Sequence, residues 1–223
     1  MNWDWHYAGS VLPSLLRGLL TTVEVTLMAS ALAAVLGLAI AVIWHVRVPV
    51  LSQALLAIAR FVRGTPLLVQ LYVIFFVLPL IMPALPPTTC AVIGLGLNYS
   101  TYMAEAFRAG IEGVPATQWE AATALNLPVR STWVRIVAPQ IVVPTLPVLG
   151  NYVNSMFKIS ALVSAIGVGD LFNAAITAGN STYRYTEPLT LVGLLYLGVS
   201  VPVTIMLRYA ETRVATRWES HGA

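Results

Sequence analysis

The sequence predicts an all-α protein: a polytopic membrane helix bundle of about five transmembrane helices, with one further helix held in water. Hydrophobic residues make up 58% of the chain and charged residues only 9%, with a mean hydropathy of +0.80. A soluble domain carries roughly 25% charge. So few charges leave a surface that water cannot solvate, and a bilayer must be the solvent for much of it. The apolar stretches also recur in runs of about 20 residues, the length that crosses the hydrocarbon core. At 223 residues the chain reads as one domain, 1–223.

The elements follow in order. The start, Met1 to Tyr7, is acidic and aromatic and lacks the basic n-region of a signal peptide. Residues 1–14 are therefore expected to stay as an interfacial segment on the outer side, with rings at headgroup level. The first apolar stretch runs from about Leu15 to Trp44 and carries Arg17 and Glu24. It is rich in Ala and Gly, which let helices approach closely in lipid. His45, Arg47 and Pro49 close it. Leu51 to Val62 reads as a helical elbow at the interface or leading into the next span. A second span covers about Thr65 to Met82, ended by Pro83, Pro86 and Pro87. A third runs from about Thr88 to Ala109, with Asn98, Tyr99 and Ser100 near its middle. The polar stretch Glu112 to Arg135, inside segment 110–140, must lie in water. A fourth span covers about Ile141 to Val163 and is interrupted by Pro144 and Pro147. Residues 168–187 read as a second polar loop. A fifth span runs from about Leu189 to Leu207, followed by a tail, 208–223.

With this topology, Arg47, Arg60, Arg63, Arg108, Arg130, Arg135, Arg208, Arg213 and Arg217 share one side, while Arg17 and Arg184 fall on the other. The arginine-rich side is expected to be cytoplasmic. The N-terminus then lies outside and the C-terminus inside.

Several functions are excluded. The basic residues are scattered through apolar runs, which argues against nucleic acid. The lone Cys90 has no partner for a disulfide and no clustered ligands for a metal. No nucleophile–base pair stands out, since His6, His45 and His221 sit near termini or a span end. A phosphate-binding P-loop needs Gly-x4-Gly-Lys-Ser/Thr, and the only lysine, Lys158, follows Phe157. The chain therefore has no means of hydrolysing ATP.

The water-exposed segment is the most informative. It reads as a helix, a break at Gly113 and Pro115, and a short second helix capped by Thr117. Glu120 falls in the first turns, where a carboxylate suits the helix dipole. Ala121, Ala122 and Ala124 keep that helix thin, and Trp119 and Leu125 supply apolar anchors. A thin helix outside the membrane fits a groove on a partner, although spacing alone leaves an ordinary amphipathic loop helix open.

The run from Gln118-Trp119-Glu120-Ala121-Ala122 through Ala138-Pro139-Gln140 resembles the EAA loop of bacterial ATP-binding-cassette importer permeases. Arg63-Gly64-Thr65-Pro66-Leu67-Leu68-Val69-Gln70 resembles the motif before the second core span in the polar amino-acid branch. Gly150-Asn151 and Lys158-Ile159-Ser160-Ala161-Leu162 resemble that branch's later motif. Within the branch, the segments Gly94 to Tyr102, Gly110 to Pro115 and Arg184 to Gly193 are most similar to ectoine/hydroxyectoine permease subunits. There are departures. Asn126 stands where the EAA loop usually has Gly, and Asn tolerates the left-handed backbone such a turn needs. Ile159, Ser160 and Ala161 replace the polar middle of a usual Lys-Asp-Thr-Ser-Leu.

The resemblance implies half of a two-subunit channel in the bacterial cell membrane, paired with a second permease as a homo- or heterodimer. A solute-binding protein docks outside. Two ATPase subunits, which carry the ATP and Mg2+, dock inside on Trp119, Glu120, Ala121, Ala122, Leu125 and Asn126. No cofactor is expected on this chain. The implied cargo is ectoine, hydroxyectoine or a similar zwitterion, the alternative being arginine, histidine or glutamine. Polar residues within spans are the candidates for a solute pathway: Glu24, Asn98, Tyr99, Asn151, Asn154, Lys158 and Ser160. Interhelical hydrogen bonds are the other role open to them, and Lys158 has the further option of reaching the outer interface. Arg63 reads as an interface anchor. An ion-coupled carrier would show inverted repeats, and the chain has none; a structural anchor would not need a docking helix.

Overall fold

Two long helices cross at the centre of the structure. The computed structural model describes residues 3–219, with side chains through Thr212. Helix α1 (Trp5–Val46) is 42 residues long, about 63 Å at 1.5 Å per residue. The segment 1–14, expected to be interfacial, is therefore mostly its first turns. Asp4 caps it by accepting from the backbone N–H groups of His6 and Tyr7. Its buried stripe is made of small residues, among them Gly18, Thr22, Ala29, Ala33, Gly37 and Ala41. That stripe lets α4 (Pro87–Glu112) lie directly against it, the most extensive helix pairing in the molecule. A Cβ on Gly37 would fall 2.9 Å from the Met103 side chain and 3.0 Å from the Ala104 nitrogen, so the crossing requires glycine there.

Between these helices lie α2 (Leu51–Gly64) and α3 (Leu67–Tyr72), the latter extended by a π turn (Val73–Val77) and a 3-10 turn (Leu78–Leu80). The chain bends by 107° between α2 and the stretch from Leu67 to Leu80, in keeping with the expected elbow. After α4 come α5 (Ala116–Ala124) and α6 (Val129–Ser131), which continues through a π turn (Thr132–Val137) into α7 (Ala138–Ile159). Pro144 and Pro147 sit inside α7 without ending it, because backbone groups freed by proline are re-satisfied locally in packed membrane helices. A 3-10 segment (Ser160–Ile166) follows, then α8 (Leu171–Thr182) and α9 (Thr186–Glu219).

One expectation changes. Residues 168–187 are not a loop: they contain α8, whose N-terminus is seated on α1. Asp170, fully buried, caps it by accepting from the Asn173 N–H at 3.0 Å, and Thr22 Oγ1 accepts from the Leu171 N–H at 3.0 Å. A Cβ on Gly18 would lie 2.7 Å from the Asp170 carbonyl oxygen, so this seat is backbone on backbone. Length and composition single out some of the expected spans. Trp5–Val46, Val129–Ile166 and Thr186–Thr212 are long and apolar enough to cross a membrane, and the bent pair makes a fourth if it is one span. Helix α4 has the length but not the apolar composition. Its polar side chains Asn98, Ser100 and Thr101 are buried, which hides them inside the bundle. Of the expected tail, 220–223 and the side chains from Arg213 lie outside the described residues.

Candidate functional site

The break after α4 falls where glycine and proline place it: Gly113 ends α4, and Pro115 precedes α5. Pro115, not Thr117, holds the N-cap position, and no side chain caps the helix. Its other end is a Schellman turn. The Asn126 N–H donates to the Thr123 carbonyl at 2.9 Å and the Leu127 N–H to the Ala122 carbonyl at 3.0 Å, the pairing that closes such a turn. Asn126 sits at φ 50°, so it does adopt the left-handed backbone.

Helix α5 has nine residues, too short to be stable alone. A cluster of three rings holds it. Trp119 stacks on His45, at the end of α1, with centroids 5.2 Å apart, and meets Trp133 edge-on at 5.4 Å. His45 and Trp133 are themselves 5.4 Å apart. Trp119 therefore packs on its own chain, where it is half-buried. Ala122 is buried beside it, whereas Glu120, Ala121, Leu125 and Asn126 are exposed. These four form the free face, flanked by the exposed apolar side chains of Leu127, Val129 and Val134. His45 and Trp133 were not legible as site residues: His45 read only as the end of a span, and Trp133 lay in a stretch taken as polar.

The in-span polar residues divide by environment. Asn98 donates to the Gln70 side-chain oxygen at 3.1 Å, and Gln70 donates to the Val62 carbonyl and Thr65 hydroxyl at 2.7 and 2.8 Å. Asn98 thus ties α4 to the turn between α2 and α3. Asn154 donates to Thr204 Oγ1 at 2.8 Å, tying α7 to α9. Ser160 is fully buried and donates to the Phe157 carbonyl. Tyr99 is buried, in a row of rings with Tyr102 and Tyr152.

Glu24, Asn151 and Lys158 are exposed instead. Glu24 and Lys158 have no ion-pair partner among the described residues. Ser30, just past the middle of α1, contacts Met156 at 3.5 Å, which sets Lys158 level with the central part of α1. Asn151 donates to Glu211 at 2.9 Å. Glu211 also lines an open groove of about 640 Å3 between the ends of α4, α7 and α9, floored by Ala106, Gly110, Pro144 and Pro147.

At the opposite end, the start of α1 is bound to the α8–α9 corner. Arg184 bridges Asp4 at 3.0 Å and Glu187 at 2.7 Å and lies 4.8 Å over the Tyr7 ring. Tyr7 Oη donates to the Ala178 carbonyl. The N–H of Tyr7 and the Arg184 guanidinium hold the Asp4 carboxyl below its ordinary range.

A helix bundle with buried polar struts, outward-facing charges on its apolar helices and a short helix pinned at one end defines a class: a membrane-embedded helical subunit. Over residues 33–216 the sequence matches the family described as binding-protein-dependent transport system inner membrane component, and the chain belongs to that family. It is a permease subunit, not an enzyme. It is similar to the probable amino-acid ABC transporter permease protein y4tG of Sinorhizobium fredii (strain NBRC 101917 / NGR234), with 33% identity over 97% of this chain and 94% of that one. The arginine transport system permease protein ArtQ of Bacillus subtilis (strain 168) is 31% identical over 96% of this chain and 98% of its own length. Among solved structures, a crystal structure of an amino acid ABC transporter with histidines matches with a TM-score of 0.83 and 33% identity, covering 96% of this chain and all of that one.

Proposed function

We propose that this chain is the transmembrane half of an ATP-driven importer for a polar amino acid, working beside a second permease subunit, two ATPase subunits and a solute-binding protein. The observation that carries the reading is α5, whose inner face is locked by Trp119 and Ala122 while Glu120, Leu125 and Asn126 stay free. A rigid helix with one free face transmits motion of an ATPase into the bundle through α4 and the Thr132–Val137 turn. ATP and Mg2+ belong to that partner. The arginine bias puts α5 and the end of α9 in the cytoplasm and Asp4 outside. The relatives named above are amino-acid permeases, which favours arginine, histidine or a related amino acid over ectoine.

Glu24 and Lys158 support the pairing. A charged side chain facing lipid at mid-depth costs several kcal/mol, by estimates that start at about +2.5, so both faces require a polar cover. A second permease supplies it, with the solute pathway running between the two chains past Glu24, Asn151 and Lys158. Asn98, Asn154 and Ser160 serve as struts in this reading.

The test is reconstitution in vesicles with the second permease, the ATPase and the binding protein. Labelled arginine, histidine, glutamine and ectoine are offered in turn. ATP-dependent uptake of an amino acid is expected; uptake that ignores ATP and follows an ion gradient would remove the importer reading, and uptake of ectoine alone would restore the other cargo. Glu120→Arg should release the ATPase subunit from the purified complex; an intact complex would count against α5 as its seat.

A further inference from the structure

Between the end of α1, the elbow α2 and the last turns of α4 lies a cleft of about 450 Å3, lined by Trp44, Ser52, Gln53, Arg60, Arg63 and Arg108, with Glu105 and Leu56 completing its wall. Its charge is basic. Glu105 accepts from Arg63 at 3.3 Å and from Arg108 at 2.8 Å, and Glu112, outside the lining, accepts from Arg108 at 2.9 Å. Three guanidiniums thus meet two carboxylates. Arg60 is exposed and has no acceptor among the described residues. The indole N–H of Trp44 also has no acceptor among the described residues.

The helix that carries this wall is amphipathic in a particular way. Gln53, Leu56, Arg60 and Arg63 follow one another at helical spacing and face the cleft. On the opposite side, Leu51, Ile58 and Phe61 are exposed, an apolar face that only lipid or another protein covers. A helix with one apolar and one basic face, bent 107° from the segment that follows it, lies in the plane of the membrane surface. Basic pockets between helices at that depth are the kind that receive acidic lipid headgroups.

We propose that this cleft binds the phosphodiester of an anionic phospholipid from the leaflet on the α5 side, with Arg60 as its free charge and Arg63 and Arg108 as walls that Glu105 holds in place. Each arginine has five N–H donors in a fixed fork, so ion pairing with Glu105 leaves donors on both for the phosphate. The site is separate from the free face of α5 and does not depend on the transported solute.

The experiment uses the purified full-length chain in mild detergent, given dioleoylphosphatidylglycerol or dioleoylphosphatidylcholine, with retained lipid counted by native mass spectrometry. The glycerol lipid should be retained in preference, a comparison that needs no variant. Arg60→Gln should lower its retention about fivefold, the weight of one arginine near an anionic surface. Arg130→Gln, on α6 and outside the lining of the cleft, should leave retention unchanged. Equal retention of the two lipids would overturn the proposal, as would an equal loss in Arg130→Gln, which would signal general surface charge. Displacement of the lipid by millimolar inorganic phosphate would make this a small-anion site instead. Displacement on adding the ATPase subunit would assign the cleft to that partner.

Discussion

Replacing Trp119 with alanine separates the seat of α5 from the surface it offers. The Trp119 ring makes two aromatic contacts, with His45 at 5.2 Å and Trp133 at 5.4 Å. Pairs of this kind are worth about 0.5–1.5 kcal/mol each beyond the area they bury, so the seat loses about 1–3 kcal/mol. Helix α5 has little else to hold it, since nine residues do not form a stable helix unaided and Ala122 is its only buried side chain. The loss should appear as local opening, which 1–3 kcal/mol multiplies by about 5 to 150. Hydrogen exchange is the direct assay: the amides of Leu125, Asn126 and Leu127, bonded to Ala121, Thr123 and Ala122, should exchange faster by that factor, while amides in the middle of α1 should not change. Trp119→Phe should recover part of the protection. In reconstituted vesicles the alanine variant should still bind the ATPase through Glu120 and Leu125 but transport less solute per ATP hydrolysed. Unchanged exchange across 116–127 would refute the account of the three rings as the clamp.

Other parts of the structure give further expectations. Gly18→Ala places a methyl 2.7 Å from the Asp170 backbone and should lower stability by about 1–3 kcal/mol, as overpacking does; thermal unfolding in detergent checks it, with Gly9→Ala as the control because nothing lies within 4 Å of that position. Asn154→Ala removes the bond to Thr204 and should cost about 0.6 kcal/mol and no more than about 1.7, the range found for such bonds within membranes; a larger loss would point to a role beyond the strut. Asp4 has a depressed carboxyl, so its contribution is complete above its ordinary value of 3.8 and is lost as pH falls through the lowered one. The protection factors at the α8–α9 corner, taken relative to intrinsic exchange at each pH, should thus be constant from pH 8 to 5 and fall only in stronger acid, whereas Asp4→Asn should show the reduced protection at every pH.

The sequence carried the helices well and their faces poorly. Runs of about 20 apolar residues located α1, α7 and α9, and the Gly113–Pro115 break located α5. Helix α4 was found despite its modest hydropathy, because Asn98, Ser100 and Thr101 stand close together in an otherwise apolar stretch. Helix α8 was missed: Asp170, Asn173, Thr177, Asn180 and Ser181 read as loop chemistry, and their helical order depends on a cap and a seat against Thr22 and Gly18 that are 149 residues or more distant in the chain. At the site, Asn126 was legible because left-handed backbone is a local property. The direction of Trp119 was not, because it depends on His45 and Trp133 arriving from two other elements. The in-span polar residues were recognisable as unusual, but only tertiary packing separated Asn98 and Asn154, which bond inside the bundle, from Glu24 and Lys158, which face out of it.

Helix α1 acquires a mechanical meaning from its length. Its first turns are bound at the Asp4–Arg184–Glu187 corner and its last at His45 against Trp119, so one unbroken rod of about 63 Å joins that corner to the seat of α5. Pivoted near Gly18 and Thr22, where α8 rests on it, the rod is an unequal lever, with a short arm toward Asp4 and a long arm toward His45. A tilt of about 5° would move the His45 end by roughly 3 Å and the Asp4 end by roughly 2 Å, given the rise of an α-helix. Small displacements at the Asp4 corner are thereby enlarged at the seat of α5.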